Sequence, residues 1–343
     1  MAQGSFGLIL ANRAVVLGAI KARDLLDQAE QAEASGVFDS VWVGDSLLAK
    51  PRLESIALLS ALAGVTRRVR LAVGCMATFV HRHPVLLAQQ WASLDVLSEG
   101  RALLAVCLGG PDSANAAQAA EHAVMGIASG ERVERLEEGI VILRTLFGEA
   151  SASHAGRFYQ FDKVALLAAT RPAAVPDLDR VQPDRADVEG RSQRLQRRGR
   201  ARIAPRGALR RRLDDQQALA PGVPPPVRDH PGHGARGGRD PRALGSALYH
   251  NINVNEDRQA ALAQSKAFLD AYYTAKFSPE FVEQWTVAGG PKECAEQLRA
   301  YFAAGLGHMA LRLASWDQAG QLARFLGEVA PASVRLTKGD VAR

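Results

Sequence analysis

The chain has 343 residues, 47% of them apolar, which is enough core for one large domain or two smaller ones. Its net charge of +6 first suggests a nucleic-acid binder, but residues 171–238 hold 15 arginines, no lysine and 8 acids, while the other residues hold 27 basic and 28 acidic groups. Three scattered cysteines (Cys75, Cys107, Cys294), no basic head or long apolar run in Met1–Leu10 and no uncharged stretch of about 18 residues argue against a disulfide framework, structural zinc, a secretory signal and a membrane span, so a soluble cytoplasmic protein is expected.

In chain order, Phe6–Leu10 reads as a strand and Ala22–Ser35 as a helix, with Leu25, Leu26, Ala29 and Ala32 on one stripe and Gly36 as its C-cap. Ser40–Val43 is the next strand, Leu53–Thr66 a helix and Val69–Val73 a strand. Pro84–Leu97 is a helix with Pro84 in its first turn, Ala102–Val106 a fourth strand and Glu131–Phe147 a long helix. The alternation returns late, with strand Ala247–Val254, helix Asp257–Ala275, helix Pro291–Ala304, strand Met309–Leu313 and helix Asp317–Val329. Strands alternating with helices imply parallel pairing through crossovers. The turn after the first strand, Ala11-Asn12-Arg13-Ala14, lacks the glycines of a doubly wound phosphate loop. The expected fold is therefore an α/β (β/α)8 barrel, although only six strands are legible. The expected division is 1–170 as the first half of the barrel, 171–238 as a foreign segment, 239–331 as its last part and 332–343 as a tail.

Residues 171–238 contain no Phe, Tyr or Trp and nine of the sixteen prolines. By composition this is disordered basic chain standing where barrel strands five and six are expected. Codons permitted for Arg171–Gly190, read one nucleotide downstream, encode VRQQSPIWIASNPTAQTSK, which contains a buried-type strand. The same shift over Arg211–Gly237 gives a strand, DGWMT, followed by a helix. The segment thus reads as out of frame, with compensating indels near Arg171 and Gly238.

Several pieces together carry a family resemblance: Gly36–Asp45 (GVFDSVWVGD), Thr66–Leu71 (TRRVRL), Arg82-His83-Pro84 with its helix, Ser98-Glu99-Gly100-Arg101, Glu131–Arg144, Gly156–Tyr159 and Val287–Leu298 (VAGGPKECAEQL). In order and spacing they resemble the bacterial luciferase-like monooxygenase superfamily. The resemblance implies reduced FMN, or alternatively a deazaflavin, at the carboxyl-terminal mouth of the barrel. The activity it implies is that of a flavin-dependent monooxygenase, or alternatively a deazaflavin-dependent dehydrogenase. It also implies a small organic substrate, with a flavin reductase and a second copy of the chain as partners.

The candidate residues follow from this frame. Asp45 and Ser46 directly follow strand two; the family often has His after this acid, so Ser46 puts an acid/base role there in doubt. Asp45 and His83 are the catalytic candidates. Asn12 follows strand one and Thr78 strand three; Cys107, Gly109 and Gly110 follow strand four; Asn251 and Arg312 lie on late strands. These seven are the cofactor-binding candidates. His81 and His83 form an HxH pair, expected on one face, but no third ligand is evident and no metal is expected. Arg101, before strand four, reads as a stability residue, and Cys294 as packing. A competing reading is an inactive barrel whose arginine arm binds nucleic acid, although no aromatic residues are interleaved there for base stacking. Another is a non-functional product of a damaged gene.

Two outcomes are expected. Resequencing the gene across codons 171–238 reveals the compensating indels, and an uninterrupted, unambiguous frame would refute the reading. The chain as written binds flavin weakly or not at all, and a version with these residues restored to the neighbouring frame binds it; micromolar binding by the unrestored chain would contradict this.

Overall fold

The structure, a computed structural model, describes residues 4–109, 116–166 and 247–333. The basic segment 171–238 with its frame reading, and Gly110, lie outside the described residues. The described chain forms two compact units. One comprises residues 6–109 and 116–166 with Tyr272–Thr274; the other comprises residues 4–5, 247–271 and 275–333.

The first unit is built on four parallel strands, β1 (Ser5–Leu10), β2 (Phe38–Val43), β3 (Arg70–Met76) and β4 (Ala102–Val106), each paired with the next in sequence. Register places Leu8 beside Val41 and Val41 beside Leu71, and all three are fully buried. Near-continuous apolar runs suit strands covered on both faces. The covering helices are α1 (Asn12–Val16), α2 (Ala22–Ser35), α3 (Ser55–Val65), α4 (Pro84–Leu97), α5 (Ala116–Val124) and α6 (Arg132–Gly148). Gly36 closes α2 in the left-handed conformation at φ 65°, where a Cβ would be strained. Helix α2 packs on α3, α3 on α4 and α4 on α6.

At the amino edge of this sheet Arg101 is spent on backbone. Its guanidinium donates to the carbonyls of Ser98 (2.7 Å), Val69 (2.8 Å) and Thr66 (3.0 Å) and to Thr66 Oγ1 (2.9 Å). A short antiparallel hairpin, β5 (Ala152–Ala155) with β6 (Gln160–Val164), follows α6. The Glu138 carboxylate receives the amides of Phe158 and Tyr159 and holds its turn.

The second unit contains β7 (Ala247–Val254), α7 (Arg258–Tyr273, whose last two residues belong to the first unit), α8 (Pro279–Gln284), β8 (Thr286–Gly289), α9 (Pro291–Ala303), β9 (His308–Leu313), α10 (Gln318–Arg324) and α11 (Ala330–Ser333). Strand β7 pairs in parallel with both β8 and β9. Sequence reading found six parallel strands, and the described residues hold seven. Thr286–Gly289 escaped because four residues ending in Gly289-Gly290 look like a turn. The chain is also packed further than expected: where a tail was placed from residue 332, Ser333 is buried and its hydroxyl donates to Val329 O at 2.7 Å. Among the described residues no helix is long and apolar enough to cross a membrane.

Two stability outcomes follow. Trp91 on α4 is fully buried and its indole N–H has no partner. Trp91→Ala destabilises the protein by about 3–5 kcal/mol in denaturant titration, whereas Trp91→Phe costs less than half as much because no hydrogen bond is lost. On the outer face of β7, burial pushes His250 down to about 4, and its Nε2 lies 3.1 Å from Tyr301 Oη on α9. The unfolded chain takes up this proton near 6.5 and the folded chain does not, so stability falls as pH drops through the window from 6.5 to 4. This contributes a loss of about 2 kcal/mol between pH 7 and 5, at about 1.4 kcal/mol per unit. His250→Gln removes that share of the pH dependence in melts at the two pH values.

Candidate functional site

The candidate side chains of the first unit gather where β1 to β4 end, the edge at which sites form in parallel α/β folds. Asn12, fully buried, opens α1 directly after β1. Its Nδ2 donates to Gly44 O (2.9 Å) and Leu53 O (3.3 Å), so the end of β1 is tied to the loop after β2. Asp45 carries the next tie. Its Oδ1 accepts from Ser55 Oγ (2.8 Å), and its Oδ2 accepts from both the amide (2.8 Å) and hydroxyl (2.7 Å) of Thr78. One carboxylate therefore fixes the start of α3 and the loop after β3. Arg82 Nη2 stands 3.9 Å from Asp45 Oδ1 and pairs with Glu54 at 2.7 Å.

Beside this clamp lies a pair that sequence reading did not assign to the site. His81 and Glu121 have fully buried side chains, with His81 Nδ1 3.7 Å from Glu121 Oε1. Neither ring nitrogen of His81 nor Glu121 Oε1 has a hydrogen-bond partner. The other oxygen, Oε2, receives the amides of Leu48 (2.6 Å) and Ala49 (2.7 Å). Burial lowers the His81 pKa, while the Glu121 charge partly opposes the shift and His122, ring to ring at 5.1 Å, adds to it. The expectation that His81 and His83 share a face is corrected. Residues 79–81 form a 3-10 turn rather than a strand end, so His81 points inward and His83 is exposed. His83 caps α4, its Nδ1 accepting from Val85 N at 3.3 Å, and its ring meets Tyr159 edge-on at 5.4 Å. It stands apart from the Asn12–Asp45–Thr78 group.

After β4, Cys107 is not a free thiol. It forms a disulfide with Cys75 of β3, whereas the scattered cysteines argued against a disulfide framework. The sequence separation of 32 concealed a neighbourhood that β3–β4 pairing creates, with Met76 in register with Val106. Gly109 adopts φ 68°, and its carbonyl accepts from Arg132 Nη2 at 3.2 Å. Among the described residues no group of His, Cys, Asp or Glu could hold a metal ion.

In the second unit, Asn251 and Arg312 are register neighbours on β7 and β9, and both are buried. Asn251 Nδ2 donates to Trp285 O at 2.8 Å, leaving its Oδ1 without a partner, and the Arg312 guanidinium lies 5.0 Å over the Tyr249 ring. Sequence reading passed over Arg13, Lys50, Arg52 and Glu121 as working side chains and weighed His81 only as a metal ligand. Only the closeness of the first three to the ends of β1 and β2 could have signalled them.

Asp45→Ala and Thr78→Val each destabilise the protein, by about 1–3 kcal/mol, through unmet buried partners. The double variant costs less than their sum, because the two side chains share one contact; strict additivity in a double-mutant cycle would contradict the clamp. In denaturant without reductant, thiol titration finds one free cysteine, Cys294, and reduction raises the count to three.

Comparison with known proteins bears on what this edge serves. A luciferase-like monooxygenase family profile matches residues 4–181. The F420-dependent glucose-6-phosphate dehydrogenase of Amycolatopsis mediterranei is 25% identical over 336 residues, covering 90% of this chain and 94% of the relative. Among solved structures, an F420-dependent secondary alcohol dehydrogenase in complex with an F420-acetone adduct matches with a TM-score of 0.66 and 20% identity, over 97% of this chain and 99% of that one. The monooxygenase RslO1 from Streptomyces bottropensis matches equally, at 0.66 and 20%, over 95% and 99%. The fold is thus the (β/α)8 barrel of the luciferase-like type, and the chain belongs to the luciferase-like monooxygenase family, a class of oxidoreductases.

Proposed function

We propose that the chain is a deazaflavin-dependent dehydrogenase acting on a small hydroxylated substrate. The observation that carries this reading is the buried His81–Glu121 pair at the carboxyl edge of the sheet. Oxidising an alcohol carbon requires a group that takes the hydroxyl proton, and the position after Asp45, where the family resemblance implies a histidine, is Ser46. His81 is neutral at pH 7 because burial lowers its pKa, so a ring nitrogen can accept that proton. Glu121 stabilises the resulting imidazolium. The likeness to an F420-dependent glucose-6-phosphate dehydrogenase and to an F420-dependent secondary alcohol dehydrogenase supports the deazaflavin over FMN.

The residues present fit a polar, planar ring. Buried atoms of His81 and Glu121 lack partners, and Gly109 holds a left-handed conformation in which a Cβ would crowd Gln118 Nε2 at 3.2 Å. The ring would meet His81 and Gly109, on loops that Asn12 and Thr78 hold in place through bonds already made to Gly44, Leu53 and Asp45. A bound deazaflavin supplies the exchange of two electrons and a hydrogen with the substrate carbon. Asp45 positions Thr78 and the loop after β2, and His81 holds the proton.

The test is a pH profile of kcat/KM with F420 and a panel of small alcohols and sugars, on the chain with residues 171–238 restored to the neighbouring frame. Activity stays flat above the ordinary histidine range and falls on the acid side. Glu121→Gln moves the acid limb to lower pH, since it removes the charge that raises His81. His81→Asn abolishes that limb and lowers kcat about 10²–10⁴-fold. An acid limb unmoved by Glu121→Gln would refute the role. A flavin-dependent monooxygenase is the second reading, favoured by the likeness to RslO1. Oxygen consumption with reduced FMN, without turnover of F420, would establish it instead.

A further inference from the structure

We propose that Arg13, Lys50 and Arg52 form a subsite for an oxyanion, a phosphate or carboxylate borne by the substrate. The proposal rests on the reading of this edge as the active site, and it names the substrate class. Arg13 is 6% exposed. Its Nη2 donates to Thr274 Oγ1 at 2.7 Å, but Nε and Nη1 are buried with no partner. Lys50 and Arg52 are half-buried in the loop after β2. None of the three has an ion-pair partner among the described residues. Other cations of this unit are satisfied: Arg82 pairs with Glu54, Arg135 with Glu131, and Arg101 binds carbonyls.

The three charges feel one another. Burial lowers the Lys50 pKa, and Arg52 and Arg13 lower it further against the opposing pull of Tyr273 and Glu121. Burial and Arg52 likewise lower Arg13. The cations are nonetheless held in place. Lys50 Nζ lies 5.2 Å from the Tyr273 ring, Arg52 Cζ lies 6.0 Å from that of Tyr272, and the two rings meet edge-on at 5.3 Å. Aromatic faces orient a cation without neutralising it. Gly44 makes room, since a Cβ there would collide with Arg52 Nη1. Glu121 raises the Lys50 pKa only against the larger effects of burial and the two arginines, and its Oε2 receives the amides of Leu48 and Ala49. Uncompensated buried cations are costly. A bound oxyanion offsets that cost and gives an acceptor to one of the two unpartnered Arg13 nitrogens, Nε or Nη1, as a charge-assisted hydrogen bond.

The probe is inorganic phosphate, without cofactor or turnover. Phosphate raises the melting temperature of the full chain in a saturable manner, beyond chloride at matched ionic strength. Lys50→Ala and Arg52→Gln each weaken phosphate binding about tenfold by calorimetry, and Lys50→Arg retains it. The conservative variant keeps the test valid if Lys50→Ala fails to fold. A sugar phosphate competes with phosphate and the neutral sugar does not. Equal stabilisation by chloride, or wild-type affinity in both charge-removing variants, would overturn the proposal. Displacement of phosphate by F420 in the absence of substrate would overturn its assignment to the substrate and give the site to the cofactor's anionic tail. Because binding is read without catalysis, intact phosphate binding with no F420 turnover by the frame-restored chain would refute the dehydrogenase reading and leave the subsite standing.

Discussion

The Asp45 carboxylate fixes the geometry of the loops on which the site depends. Parallel strands end side by side, but the loops that leave them have no ladder to hold them. Asp45 supplies acceptors to Ser55 and, twice, to Thr78, while Asn12 ties the end of β1 to Gly44 and Leu53. The result is a chain of side-chain bonds running across the sheet ends, roughly at right angles to the strands. It turns three separate connections into one surface. Buried polar networks of this kind rigidify when every member is satisfied, and Asp45 meets that condition with both oxygens engaged.

Next to this satisfied network lie groups that are not satisfied. His81, Glu121 Oε1 and two nitrogens of Arg13 are buried without partners. Native proteins leave few such atoms, and those that persist mark sites of function or unfilled contacts. The contrast between a finished scaffold and unfinished side chains beside it is what points to chemistry at this edge. Its electrostatic character is divided. A histidine–carboxylate pair suits proton movement, and a cation cluster suits an anionic group.

Much of the architecture was legible because its signals are periodic. Helices Ala22–Ser35 and Pro84–Leu97 and strands Ala102–Val106 and Ala247–Val254 were expected with the bounds they have. Misses fall where the local signal is short or the determinant is non-local. The four-residue strand β8 is too brief to show a period, and the hairpin β5–β6 depends on Glu138, fourteen or more residues away. The site was legible in part. Asn12, Asp45 and Thr78 were found by their position after strands and do come together. The disulfide, the inward turn of His81 and its pairing with Glu121 depend on which strands and helices become neighbours, and no window of sequence contains that information. Residue type misled for His83, whose ring serves as a helix cap.

The amino edge of the same sheet is held differently. Arg101 gathers three carbonyls and a hydroxyl there, on the opposite side from Asp45 and the cation cluster. Because this anchoring draws on none of the residues at the working edge, the two ends of the sheet can drift independently. Substitutions that reverse or remove charge at positions 13, 50 and 52 alter which molecules are accepted while the strands keep their register. A fold so divided can be redirected to new substrates by changing a few loop side chains, with its structural anchor left alone.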